Sequence, residues 1–442
     1  MLRTIDVRGQ NLTPGQLRAA MPRAQVDVAD AAAAVAPILA DVRARGEAAL
    51  REYGERFDGG SAPSLRVAPQ QIMAALDGLD PAVRAGLDEA ISRVRAFHQA
   101  TVPPPVSVDI APGATVSQRW IPVSRVGLYV PGGLAVYPSS VVMNVVTAQA
   151  AGVTSIAVAT PPQRAFDFGA HPTILAACAL LGVDEVYVVG GAHAIAMLAY
   201  GAQATDGSEL CEGVDVITGP GNVFVAAAKR LVNGTVGIDA EAGPTEIAVI
   251  ADEAAHPGFV AADLLSQAEH DPLAGSVLIT HSQALAGAVV QELTGLVEAT
   301  THRDRAVQAL SGAQSAVILT DDVDQSIAVA NAYGAEHLEI HTANPHAVAD
   351  QIRNAGAIFV GPYSPVPLGD YLAGSNHVLP TGGTARFASG LNVTAFLRAV
   401  AVIDYDADAL AAVGDKVVAL AGAEDLPAHG EAITARVNAA RR

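Results

Sequence analysis

Apolar positions recur at helical spacing through two Ala-rich stretches, residues 31–53 and 70–98. The turn-forming FDGGSAPS segment separates them, and the Pro103-Pro104-Pro105 run ends the pattern. From Val126 the texture changes. Short β-branched runs end in Gly or Pro and pass into apolar helical stretches, the pattern of βαβ units on a parallel sheet. The runs at 126–130, 155–159, 185–189 and 214–217 end in PGG, TPP, GG and TGPGN, and helical stretches follow at 172–181, 192–200 and 223–231. Together they predict one domain from Val123 to about Pro244. A second series of strands, at 246–250, 276–280, 316–319, 337–341 and 357–360, predicts another α/β domain. The tail from Arg386 reads as helical, with a short strand at 400–404 and an apolar helix at 409–421 that can pack on its own chain or on a partner.

Composition narrows the function classes. Of 442 residues, 51% are hydrophobic and 16% charged, enough for large cores and too apolar for a disordered chain. Lys and Arg number 26 against 45 Asp and Glu, a net charge of −19. Such a surface repels nucleic-acid phosphates and anionic lipid, so neither nucleic acid nor membrane is expected as a partner. The opening MLRTIDVRGQNLTPG has no apolar segment behind a basic start, and no stretch reaches the ~18 apolar residues of a membrane span. Two cysteines are too few for a disulfide framework. A soluble cytoplasmic protein is expected.

Ligands of open α/β sheets collect at the carboxyl ends of parallel strands. That directs attention to Pro131-Gly132-Gly133, Gly190-Gly191 and Gly219-Pro220-Gly221-Asn222, where glycine lets backbone N–H groups approach a phosphate. No G-x-G-x-x-G occurs there, since the sixth position from Gly219 is Phe224. These exits therefore read equally as dinucleotide cradles or as tight turns. In AADLLSQAEHD, residues 261–271, helical spacing puts Gln267 and His270 on one face with Asp263 a turn earlier. The pair is either a metal grip, with Gln an unusual ligand, or a capped helix end.

The segment GAEHLEIH concentrates Glu336, His337, Glu339 and His341. An ideal strand would put His337, Glu339 and His341 on one face and Glu336 on the other. Joint action of Glu336 and His337 on one substrate thus requires irregular backbone after Gly334; otherwise the segment is a polar strand edge. Asp370 and His377 lie in a Gly/Pro-rich loop from which both can reach a metal. Glu424 and His429, in AEDLPAHG, read by themselves as surface residues. Cys178 sits inside an apolar helix and Cys211 between Glu209 and Glu212, so neither reads as a nucleophile.

Taken in order, VGLYVPGG, GGAHAIAMLAYG, GPGN, AGPTEI, SQAEHDP, AEHLEI, GDYLAGSNHVLPTGG and a terminal E-x-x-x-x-H resemble the histidinol dehydrogenase family from about residue 30 to the end. The resemblance implies a four-electron oxidation of L-histidinol to L-histidine through histidinaldehyde, with two NAD+ and one Zn2+ per chain. It implies zinc ligands at Gln267, His270, Asp370 and His429, the last from the partner of an intertwined homodimer, and an acid/base pair at Glu336 and His337. Substrate contacts would fall on Thr245, Gln267, His270, His337, Asp370, Glu424 and His429. Cofactor contacts would fall on Tyr129, His193 and Asn222, with His193 standing where Gln is expected. The implied fold is α/β, with two Rossmann-like parallel-sheet domains and helical N- and C-terminal extensions. Its parts are an arm at 1–30, a first domain at 31–122 plus 247–385 bearing the metal and catalytic residues, an NAD-side domain at 123–246, and a tail at 386–442 reaching the partner. Two rivals stand beside it: a zinc-independent NAD-dependent alcohol or aldehyde dehydrogenase acting on another polar substrate, and a non-catalytic binding protein.

Overall fold

The computed structural model of the chain describes residues 2–24, 28–132, 136–241 and 243–440; Gly133 of the PGG exit lies outside them. The chain opens with β1 (Arg3–Asp6) and α1 (Pro14–Ala20), then runs through α2 (Val28–Arg45), α3 (Glu47–Tyr53), α4 (Pro69–Asp77) and α5 (Pro81–Ala100). A hairpin of β2 (Val106–Ala111) and β3 (Ala114–Pro122) leads into β4 (Arg125–Tyr129), α6 (Pro138–Ala150), β5 (Ser155–Thr160), α7 (Pro172–Leu180), β6 (Val186–Val188) and α8 (Gly191–Tyr200). A ribbon of β7 (Ala202–Gln203) and β8 (Glu209–Cys211) precedes β9 (Val216–Thr218), α9 (Val223–Val232) and β10 (Gly237–Ile238).

The second alternation is β11 (Glu246–Ala251), α10 (Pro257–Ala268), β12 (Gly275–Thr280), α11 (Gln283–Ala299), α12 (Arg303–Ser311), β13 (Ala316–Leu319), α13 (Val323–Tyr333), β14 (His337–His341), α14 (Pro345–Ala349), β15 (Ala357–Val360) and α15 (Val366–Tyr371). The tail is β16 (Leu397–Tyr405), α16 (Ala407–Ala423) and α17 (Pro427–Ala440).

Two parallel sheets result, ordered β10-β9-β4-β5-β6 and β1-β13-β12-β11-β14-β15. Their central strands are buried on both faces, which is why the sequence shows continuous β-branched runs there rather than alternation. Local chemistry sets the helix starts. Asp80 accepts the N–H groups of Ala82 and Val83 ahead of Pro81, and Asn222 accepts those of Phe224 and Val225 to open α9. The β16 strand is longer than the expected 400–404 and pairs antiparallel with β3 over its whole length. No described helix is long and apolar enough to cross a membrane.

The packing redraws the expected domain division. Residues 31–122 were expected beside 247–385, yet α2 to α5 cover the other sheet. Val35, Leu39 and Val42 share a core with Ile195, Leu198 and Val225, while Ile72, Ile91 and Val94 share one with Val126, Val142 and Val158. The apolar stripes of these helices match α6 to α9, so burial drives them there. The N-terminal arm is likewise part of a sheet, since β1 pairs in parallel with β13, Arg3 opposite Ala316, and α1 packs on α13.

Candidate active site

Three segments converge at the amino edge of the six-stranded sheet. Thr245 immediately precedes β11, Glu336 immediately precedes β14, and α10 brings Gln267 back to the same edge in its last turn. At the carboxyl edge of the other sheet, Tyr129 ends β4, Gly191 follows β6 and Asn222 follows β9, the positions at which cofactor contacts are expected. Glu336 and His337, expected as an acid/base pair, stand instead at the amino edge of theirs. The 376–381 loop bridges the carboxyl edge of one sheet and the amino edge of the other. There His377 Nε2 is 3.4 Å from Ser140 Oγ, and the Gly243 N–H donates to Thr381 Oγ1 at 2.5 Å.

Helix α13 ends at Gly334 with φ +58, a left-handed turn suited to glycine, and the chain bends at Glu336 before β14 begins. This irregularity lets Glu336 and His337 serve one space. Glu336 Oε2 accepts the Thr245 hydroxyl at 2.5 Å and the Glu246 N–H at 3.0 Å, and lies 3.8 Å from His337 Nδ1. Gln267 Nε2 donates to the same Thr245 hydroxyl oxygen at 2.6 Å. Gln267 Oε1 and both His337 ring nitrogens are buried without a protein partner. Buried polar atoms are rarely left so, which marks this cluster as a candidate ligand position.

Burial dominates the electrostatics. It pushes Glu336 up to about 8, aided by the Glu246 and Asp370 charges and opposed by its two hydrogen bonds. Burial drives His337 down to about 3, and the nearby His270 charge adds to that. Asp370, half-buried on α15, is pushed up to about 7 by burial. Its backbone oxygen lies 2.9 Å from His377 Nδ1, and burial takes that imidazole down to about 4. The predicted helical face of Gln267 and His270 is corrected, because α10 stops at Ala268 and His270 lies in the following turn, its N–H donating to the Gln267 carbonyl.

Glu424 and His429 stand apart from this cluster. Both are exposed where α16 passes into α17, two helices that pack chiefly on each other.

Among the residues expected to contact a cofactor, the buried Tyr129 hydroxyl accepts the Gly191 N–H at 3.0 Å, and burial pushes it up to about 12. Gly219 passes so close to Tyr129 that a Cβ there would fall 2.0 Å from the Tyr129 carbonyl oxygen. His193 is buried with Nε2 3.6 Å from Asp58 Oδ2, while Asn222 uses its carbonyl oxygen to cap α9. Both thiols are buried; burial raises Cys178 to about 12 and Cys211 to about 11, so burial rather than the flanking glutamates leads at Cys211.

Sequence reasoning missed several supporting groups. Arg23 pairs with Glu246 at 2.9 Å and lies 4.4 Å from the Tyr333 ring centroid, while the Tyr333 hydroxyl donates to Glu246 at 3.2 Å. This group backs the residue whose N–H holds Glu336, and nothing local in the sequence marks so long-range a contact. Asp58 beside His193 is equally unmarked. Asp263, Glu339 and His341 form, among the described residues, the group of His, Cys, Asp or Glu side chains near enough together for one ion. Their signal was present in the sequence, as the one-turn spacing from Gln267 and the alternation after His337.

The chain matches the family model described as histidinol dehydrogenase over residues 21–437. A Thermobifida fusca histidinol dehydrogenase is 59% identical over 433 residues, covering 98% of this chain and 97% of that protein. A Mycobacterium tuberculosis (H37Rv) histidinol dehydrogenase is 58% identical over 436 residues, covering 99% and 98%. The crystal structure of histidinol dehydrogenase from Elizabethkingia anophelis superposes with a TM-score of 0.91 at 31% identity, covering 100% of this chain and 99% of that one.

Proposed function

The chain belongs to the histidinol dehydrogenase family of NAD-dependent oxidoreductases of histidine biosynthesis, and on that premise we propose that Glu336 and His337 carry out the acid/base chemistry of a four-electron oxidation of L-histidinol. The observation that carries the assignment is the Gln267–Thr245–Glu336 hydrogen-bond chain beside a buried His337 with two unpartnered nitrogens.

Gln267, His270 and Asp370 would hold a zinc ion, with His429 from a second copy as the fourth ligand. The donor set of one amide oxygen, two imidazoles and one carboxylate suits a borderline divalent ion, and the unpartnered Gln267 Oε1 fits a ligand role. Zinc bound there supplies a Lewis-acid grip that orients an amino alcohol carrying an imidazole. The exposure of Glu424 and His429, away from their own chain's cluster, supports a homodimer with sites completed between chains.

His337, neutral through burial, accepts the carbinol proton as the hydride leaves for NAD+, giving the aldehyde. Once it is ionised, Glu336, 3.8 Å away, favours the imidazolium that forms. Glu336 then takes a proton from the water that adds to the aldehyde carbon, while His337 returns its proton to the aldehyde oxygen, so that the gem-diol forms and the imidazole is neutral again. With its pKa pushed up to about 8, it is a stronger base than an ordinary carboxylate. The resulting gem-diol gives its second hydride to a second NAD+ and its hydroxyl proton to His337, leaving histidine. Tyr129, His193 and Asn222 would contact the cofactor from the carboxyl edge of the five-stranded sheet. A cytoplasmic location suits a chain with two buried free thiols that draws on soluble NAD+.

A progress curve with limiting histidinol tests the reading. About two NADH per histidinol and about one zinc per chain are expected. One NADH per histidinol, or full activity after complete metal removal, would favour a simpler dehydrogenase.

A further inference from the structure

We propose that Asp263, Glu339 and His341 are positioning residues that fix where Gln267, His337 and Asp370 stand relative to one another, so that cation and histidinol binding depend on three side chains that touch neither. The proposal rests on the ligand assignment of the preceding section.

The three side chains join the three elements that carry the site. Asp263 lies on α10 one turn before Gln267. Glu339 and His341 follow His337 along β14 at alternate positions, so all three project from one face, while Leu338 and Ile340 enter the core on the other. Glu339 Oε1 accepts the N–H of Val366, the first residue of α15, at 2.8 Å. That helix has six residues and no capping side chain of its own, and Asp370 is its fifth. His341 Nε2 closes the junction, 3.2 Å from Glu339 Oε2 and 3.8 Å from Asp263 Oδ2.

Glu339 is fully buried and His341 4% exposed, and among the described residues no Lys or Arg is ion-paired to the group. Two carboxyls placed so deep are costly unless each is bonded. Oxygens of the two carboxyls and a His341 ring nitrogen lie within 4.8 Å of one another, and burial pushes Asp263 up to about 8 and Glu339 up to about 7. His341 Nε2, between the two carboxylates, ties α10 to β14, and the other Glu339 oxygen ties α15 to both. Residues that hold ligands in place from behind change metal affinity by about 10- to 100-fold when removed.

The test compares full-length Glu339→Ala with Glu339→Gln, which keeps a carbonyl oxygen for Val366 and gains an amide donor toward Asp263. Zinc affinity is measured on stripped protein by competition with a chelating dye, kcat and KM for histidinol at saturating zinc, and the melting temperature in parallel. Glu339→Ala should bind zinc about 10- to 100-fold more weakly and show a raised KM while still folded, and Glu339→Gln should recover most of both. Should Glu339→Ala fail to fold, His341→Gln is expected to show the same weakening.

Unchanged zinc affinity and KM in a folded variant, with only the melting temperature lowered, would overturn the proposal. So would two zinc ions per wild-type chain falling to one in Glu339→Ala, which would make the group a second cation site. His270→Ala separates the premises. Full zinc retention there removes the ligand assignment and the proposal with it, whereas zinc loss there combined with unchanged affinity in Glu339→Ala removes the positioning role alone.

Discussion

Replacing Thr245 by Val keeps the side-chain volume and deletes the hydroxyl that joins Gln267 to Glu336. Glu336 then keeps one donor, the Glu246 N–H at 3.0 Å, and loses the 2.5 Å contact, while Gln267 Nε2 loses its 2.6 Å acceptor. A hydrogen bond to a charged group contributes about 1.5–3 kcal/mol. At about 1.4 kcal/mol per tenfold, kcat/KM for histidinol should fall by about 10- to 150-fold. The direction of the pH effect also follows. The Thr245 hydroxyl favours the ionised carboxylate, so its removal raises Glu336 further above about 8. A base must be ionised to act, so the acid limb of the kcat profile should move to higher pH. Initial NADH formation at saturating zinc and NAD+, followed from about pH 6 to about pH 10, reads both quantities. A Thr245→Val enzyme within about twofold of wild type, with an unmoved acid limb, would refute the role given to this hydrogen-bond chain.

Two further outcomes follow from the same geometry. His429→Ala, an exposed change on α17, should fold normally yet lose zinc and activity; mixed with inactive His270→Ala under subunit exchange, it should regain about a quarter of wild-type activity, because half the dimers are mixed and each has one complete site. Metal-free protein should lose stability as the pH rises from about 6.5 to about 8.5, read as a falling melting temperature. Glu336, Asp370, Asp263 and Glu339 have folded pKa values raised above their unfolded ones, so the folded state holds extra protons that are lost through about 7 to about 8. The lowered His337 and His377 act oppositely, but only below about 6.5. Glu336→Gln should make the slope shallower, and a flat profile in wild type would contradict the burial argument.

The strands were legible because both sheets are buried on both faces, which leaves uninterrupted runs such as Ile247–Ile250 and Ala316–Leu319 in the sequence. The irregular backbone at Glu336 was legible too, since Gly334 marked where a helix must end before the strand. Helical stripes at 31–53 and 70–98 said that these segments would be covered, but not by which sheet, because an apolar stripe carries no address. The amino-edge location of the site was hidden for a related reason: it depends on where the end of α10 and the starts of β11 and β14 meet. The Arg23–Glu246–Tyr333 group joins positions more than two hundred residues apart, and only the folded chain brings them together.

The edge strand of the six-stranded sheet bears on how the molecule is made. Residues Arg3–Asp6 are synthesised well before their partner Ala316–Leu319, which follows some three hundred residues later, after the whole five-stranded sheet of the other lobe. At ribosomal speeds of about 5–20 residues per second, this ribbon waits tens of seconds before it can dock. Neither lobe is a contiguous stretch of polypeptide, so cutting the gene between them would not yield two self-sufficient fragments. Folding of the lobe that carries Glu336 is correspondingly expected to finish late, after translation has passed its last strand.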